Sequence, residues 1–173
     1  MLSIPAQAFL RSLGLLLPLT ACCWASEITS PIWNHPSQLL HLFTVSPKGR
    51  LYLQILQNGR VSGTRQLTAY SAVVIRRFGS GYPKIFGAKS GLFLCMRRNG
   101  RLYGSSSSSN KNCTFIYRSL SSYSGVYESV RHKLLVSLGK VKGPFGPEQS
   151  LPPLSQFLPK RNEIPLNQFR MQR

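Results

Sequence analysis

A chain of 173 residues that sets 22 lysines and arginines against four acids carries a formal net charge of +18. Four scattered carboxylates (Glu27, Glu128, Glu148, Glu163) offer no paired general acid and base, and His35, His41 and His132 lie at no metal-ligand spacing. With no phosphate loop, nucleophile elbow or dinucleotide glycine pattern, the composition points away from an enzyme and from any cofactor.

Residues 1–25 read as a secretory signal peptide. Arg11 precedes the apolar run Leu13-Gly-Leu-Leu-Leu-Pro-Leu19, and Cys23-Trp-Ala25 supplies a small-residue cleavage site. The run is too short to span a bilayer, although a retained signal anchor is the alternative. Cleavage leaves 148 residues with a net charge of +17, enough for one domain with its own core. The expectation is a secreted, extracellular protein without membrane insertion. Its natural polyanionic partner there is a sulfated glycosaminoglycan rather than nucleic acid, the alternative being a merely soluble charged surface. Residues 26–38 form an N-terminal extension ahead of the domain, which is expected over residues 39–169.

Within that domain a hairpin repeats. The stretch Leu51-Tyr-Leu-Gln-Ile-Leu-Gln-Asn-Gly-Arg-Val-Ser-Gly63 returns 41 residues later as Leu92-Phe-Leu-Cys-Met-Arg-Arg-Asn-Gly-Arg-Leu-Tyr-Gly104, with six of thirteen positions identical. Apolar alternation, Asn-Gly-Arg and a second alternation read as strand, tight turn and strand, because Asn and Gly both tolerate positive φ. A further 42 residues on, Leu134-Leu-Val-Ser-Leu-Gly-Lys-Val-Lys-Gly143 keeps the apolar run and glycine turn but not Asn-Gly-Arg. Such a period suits a propeller only if more blades were available than this chain supplies. Three hairpin units closing about a pseudo-threefold axis predict an all-β protein, a β-trefoil of about twelve short strands, six of them in a barrel.

Cys95 lies in the second hairpin and Cys113 is placed at the start of the next strand. As the two cysteines left after leader cleavage, they are a candidate disulfide, with free buried thiols the alternative. Asn112-Cys-Thr114 is an N-glycosylation acceptor triplet with an unfavourable central cysteine. Residues 143–153, rich in proline and glycine, are expected to be irregular loop.

Residues 91–105, ending in Leu102-Tyr-Gly-Ser105, followed by Asn112-Cys-Thr-Phe115, resemble the fibroblast growth factors. Leu135-Val-Ser-Leu-Gly139, Pro152-Pro-Leu-Ser-Gln-Phe-Leu158 and Arg161-Asn-Glu-Ile-Pro-Leu166 narrow the resemblance to the endocrine branch of that family. The resemblance implies a trefoil ligand that binds and dimerises a receptor tyrosine kinase ectodomain. It further implies weak heparan sulfate binding, a Klotho co-receptor, and a role in phosphate and vitamin D homeostasis. Carried onto this sequence, the receptor contacts fall on Phe43, Tyr123 and Leu158. Heparan sulfate falls on Lys48 and Arg50 in one loop and on Lys140 and Lys142 in another; Tyr127 reads as core. The ending Arg170-Met-Gln-Arg173 matches the Arg-x-x-Arg pattern of furin-like convertases. A tail that captures the co-receptor is expected beyond it, so a tail-less, weakly signalling form is one expectation. A local, heparan-bound growth factor is the other. A ricin-type carbohydrate binder would need Gln-x-Trp repeats, which are absent.

Overall fold

A computed structural model describes residues 39–77, 81–107, 109, 111–140, 143 and 150–169. The leader, the extension, Lys142, and Arg170 to Arg173 lie outside the described residues. Ten strands are present among those described: β1 (Leu40–Ser46), β2 (Gly49–Ile55), β3 (Val61–Thr64), β4 (Ala72–Arg76), β5 (Lys84–Gly87), β6 (Phe93–Met96), β7 (Leu102–Ser105), β8 (Phe115–Ser119), β9 (Gly125–Ser129) and β10 (Leu158–Arg161).

These strands make a β-trefoil. Antiparallel pairs β1–β4, β4–β5 and β8–β9 form most of a six-strand barrel, and β10 closes it by pairing back onto β1. Two seams are narrower. Phe115 N–H donates to Pro83 O at 3.2 Å between β8 and the approach to β5, and Gly125 exchanges two hydrogen bonds with Phe157 just before β10. The β2–β3 and β6–β7 hairpins cap one end, in matching register: Leu53 opposes Gly63 as Leu94 opposes Gly104.

The third unit departs from the expected twelve strands. Residues 134–138 stand where the third hairpin should begin, but only a bridge from Glu128 to Leu135 and single bonds, such as Leu138 N–H to Leu154 O at 3.1 Å, remain of its pairing. Among the described residues, 134–138 and 150–157 therefore form no strand of their own. The prolines at 152 and 153 explain part of this, since they have no N–H to give to a ladder.

The core still obeys the threefold pattern. Leu53, Leu94 and Val136 hold corresponding positions in the three units and are all fully buried. Leu40, Leu42, Val73, Ile75, Ile85, Phe115 and Tyr127 converge on them from the barrel strands, with Phe157 from the approach to β10. Alternation at a period of two turns these side chains inward, each contributing about 1.5–3 kcal/mol of burial.

Both Asn-Gly-Arg turns are three-residue loops rather than two-residue ones. Leu56 N–H bonds Arg60 O and Gly59 N–H bonds Leu56 O, both at 2.9 Å; Arg97, Gly100 and Arg101 repeat the pattern. Only the glycines take positive φ, 76° at Gly59 and 79° at Gly100. The asparagines serve differently, as Asn58 Oδ1 accepts from Arg60 N–H at 3.0 Å and Asn99 Oδ1 from Arg101 N–H at 3.1 Å. A type I turn closed by a glycine bulge has this form.

Candidate functional site

On β1, odd-numbered residues face outward from the barrel. His41 is covered, Phe43 is half-buried and Val45 is 64% exposed, so the face opens along the strand. Antiparallel register puts Tyr52 of β2 opposite Phe43 on one side and Leu158 of β10 opposite it on the other. Directly paired residues share a face, so Tyr52, Phe43 and Leu158 form one apolar row. The Phe43 and Tyr52 rings are 5.7 Å apart, and the Arg50 guanidinium lies 5.2 Å over the Phe43 ring. Arg50 therefore sits on the aromatic row as well as beside the turn that carries Lys48. In that turn Gly49 takes φ 106° and its carbonyl accepts from Ser46 Oγ at 2.7 Å.

Tyr123 projects from the β8–β9 turn and is 78% exposed. Its neighbour Ser124 is buried, its hydroxyl accepting from Gln156 Nε2 at 2.8 Å and sharing a 2.8 Å hydrogen bond with Ser121. Tyr123 is the accessible member of that pair. Gln156 and the Gly125–Phe157 bridge tie the turn to the segment entering β10, the strand of Leu158.

Lys140 is exposed directly after Gly139, which lines a cleft of about 590 Å³ between the hairpin turns; Lys142 falls outside the described residues. That cleft is also lined by Arg60, Arg97 and Arg101. The two hairpins meet tightly beside it: Gly104 N–H donates to Gly59 O at 2.8 Å, and a Cβ on Gly104 would meet Ile55 and Leu92 at 3.0 Å.

Cys95 and Cys113 are bonded to each other, and Cys113 ends a short 3-10 turn, Lys111–Cys113, rather than opening β8. The bond fixes Asn112 beside β6. Asn112 Oδ1 accepts from Arg131 Nη1 at 3.2 Å and from His132 Nε2 at 3.1 Å, while its Nδ2 donates to the Tyr103 hydroxyl at 3.3 Å. The glycosylation acceptor amide is thus hydrogen-bonded within the fold. No local motif marks this cluster, because Arg131 and His132 come from the loop after β9 and Tyr103 from β7.

Near the chain's end, Asn162 Oδ1 accepts from His41 Nε2 at 3.0 Å and from Ile164 N–H at 3.2 Å, while His41 Nδ1 lies 3.0 Å from Ser71 Oγ. Burial pushes the His41 pKa below its usual value, against the opposing pull of these hydrogen bonds. Among the described residues no group of three metal-ligating side chains occurs, and no helix is long and apolar enough to cross a membrane.

A trefoil that carries a half-buried apolar row and basic turns is the framework of a binding ligand. The family model for fibroblast growth factors matches residues 40–145, and the chain belongs to that family of signalling ligands. Fibroblast growth factor 23 of Homo sapiens is 40% identical over 145 residues, which cover 84% of this chain and 57% of the human protein. The Rattus norvegicus protein of the same name is 42% identical over 142 residues, 82% of this chain and 57% of its own. Human fibroblast growth factor 19 is 32% identical over 136 residues, 77% of this chain and 63% of its own. The chain thus spans little more than half the length of the first two relatives.

Proposed function

We propose that this growth factor is secreted through its leader at residues 1–25 and, through its trefoil over residues 39–169, binds the ectodomain of a fibroblast growth factor receptor. Phe43 and Leu158 supply the apolar anchor of the contact, with Tyr123 at its margin. The observation that carries this reading is the pairing of Phe43 with Leu158 on one half-open face, roofed by Arg50. Interfaces draw most of their energy from a few such aromatic and aliphatic anchors beside an arginine. Receptor dimerisation then brings two kinase domains together so that each phosphorylates the other.

In the same reading Lys48, Arg50, Lys140 and Lys142 hold heparan sulfate, and a Klotho co-receptor directs the ligand to phosphate and vitamin D homeostasis. Similarity to fibroblast growth factor 23 over 84% of the chain supports this endocrine assignment. Arg170 and Arg173 form the convertase site.

The test is receptor phosphorylation in cells that carry the receptor with and without the co-receptor. The endocrine reading expects a response that needs both proteins. An equal response without the co-receptor, abolished by heparinase, would instead establish a local heparan-bound factor, which the net charge of +18 favours. Absence of binding between the folded protein and the isolated receptor ectodomain would sink the receptor reading.

A further inference from the structure

We propose that the cleft enclosed by Arg97, Arg98, Arg131 and His132 is a second oxyanion site, which takes a sulfo group of a sulfated glycan independently of Lys48, Arg50 and Lys140. The cleft has a volume of about 570 Å³, and Tyr103 and Asn112 complete its wall. None of its lining residues belongs to the two lysine-bearing loops.

Three features make it a site rather than a run of surface charge. The first is convergence: Arg97 and Arg98 come from the β6–β7 turn of the second unit, Arg131 and His132 from the loop after β9 in the third. The second is preorganisation. The Arg97 guanidinium lies 5.0 Å over the Tyr103 ring, and Arg131 and His132 are both held by Asn112 Oδ1, itself fixed by the adjoining disulfide. A cation stacked on a ring, or bonded to a neutral amide oxygen, keeps its charge and most of its donors for a ligand.

The third feature is the lack of competing anions. Among the described residues both carboxylates are engaged elsewhere, Glu128 with Arg118 at 2.8 Å and Glu163 with Lys160 at 3.0 Å. Three guanidinium groups that face a cleft without a carboxylate match the planar-fork recognition of a tetrahedral oxyanion. The neighbouring cleft between the hairpin turns shares Arg97 and Tyr103, so a glycan longer than one disaccharide has a continuous basic path to follow.

The test uses heparin chromatography and titration of the folded protein with a heparin-derived hexasaccharide. A triple variant, Arg97→Gln with Arg98→Gln and Arg131→Gln, is expected to elute at lower salt. Its plot of log affinity against log salt should flatten by about two units, by counterion release. A Lys48→Gln, Arg50→Gln, Lys140→Gln variant tests the other surface separately, and the two losses should add. If only the lysine-loop variant loses affinity, the second site is overturned; if only the Arg97 triple does, the second site stands and the lysine-loop assignment fails.

As a check that needs no variant, arginine side-chain NMR signals of the wild-type protein should shift with the hexasaccharide. Unmoved Arg97 and Arg131 signals would overturn the proposal. Equal saturable shifts with inorganic phosphate or sulfate alone would overturn the assignment to a glycan.

Discussion

Phe43 and Leu158 stand directly opposite each other on β1 and β10, although 115 positions separate them in the chain. The pairing that closes the barrel is therefore the same one that assembles the apolar row. Fold closure and the proposed receptor face depend on a single strand register, and a slip of β10 by one residue would turn Leu158 to the face opposite Phe43.

Truncating either residue separates the two roles. Leu158→Ala should weaken receptor-ectodomain binding by about tenfold or more, the loss of roughly 1.4 kcal/mol or more typical of an anchor residue. Phe43→Ala should do the same and also cost about 1 kcal/mol of stability, because the ring packs on Tyr52 at 5.7 Å. Surface plasmon resonance and thermal melting on the same samples check both. Unchanged affinity in a folded Leu158→Ala protein would remove Leu158 from the interface.

How much of this was legible follows the range of the interactions. The hairpins at residues 51–63 and 92–104 were readable because alternation and a turn motif act between near neighbours. The turn's form was not, since Asn58 and Asn99 act through side-chain acceptance rather than through positive φ. The third unit carried its apolar run, and Leu134, Leu135 and Val136 are indeed buried, but its ladder is reduced to bridges. The partnering of Arg97 and Arg98 with Arg131 and His132 had no local signature. It exists only once the trefoil lays two units side by side.

Gly104 should be among the least replaceable positions on the hairpin cap. Its N–H bonds Gly59 O, and an added methyl would meet two side chains at 3.0 Å and the Gly59 backbone at 3.1 Å. Gly104→Ala is expected to destabilise by about 1–3 kcal/mol through overpacking. Gly49→Ala is the matched comparison, since it meets nothing within 4 Å and suffers only from its φ of 106°. Chemical denaturation of both variants checks this, with Gly104→Ala showing the loss that accompanies repacking of the hairpin joint.

Replacing both Cys95 and Cys113 with serine removes a cross-link over 18 residues. The chain-entropy account puts the loss at roughly 3 kcal/mol. The disulfide also positions Asn112, so the variant should show weakened hexasaccharide binding at temperatures where it is still folded. Denaturant midpoints and titration together read both effects, and a stability loss with unaltered glycan affinity would show that Asn112 keeps its place without the bond.

His41 makes stability depend on pH. It is fully buried, and desolvation holds its pKa below the usual 6.5, with Lys160 adding to the effect while Asn162, Ser71 and Glu163 oppose it. Between the folded value and 6.5 the unfolded chain binds the proton more readily, so acidification favours unfolding. The stabilising contribution is complete above about pH 6.5 and is lost as pH falls through the folded pKa. Asn162 Oδ1 accepts from Nε2 in both charge states, so the added proton falls on Nδ1, facing Ser71 Oγ, and the destabilisation is the cost of burying the charged ring. His41→Gln retains an amide donor for Asn162 but cannot titrate. The melting-temperature difference between wild type and His41→Gln should therefore shrink as pH is lowered from 7.5 to 5. Parallel curves across that range would show that His41 does not carry the dependence.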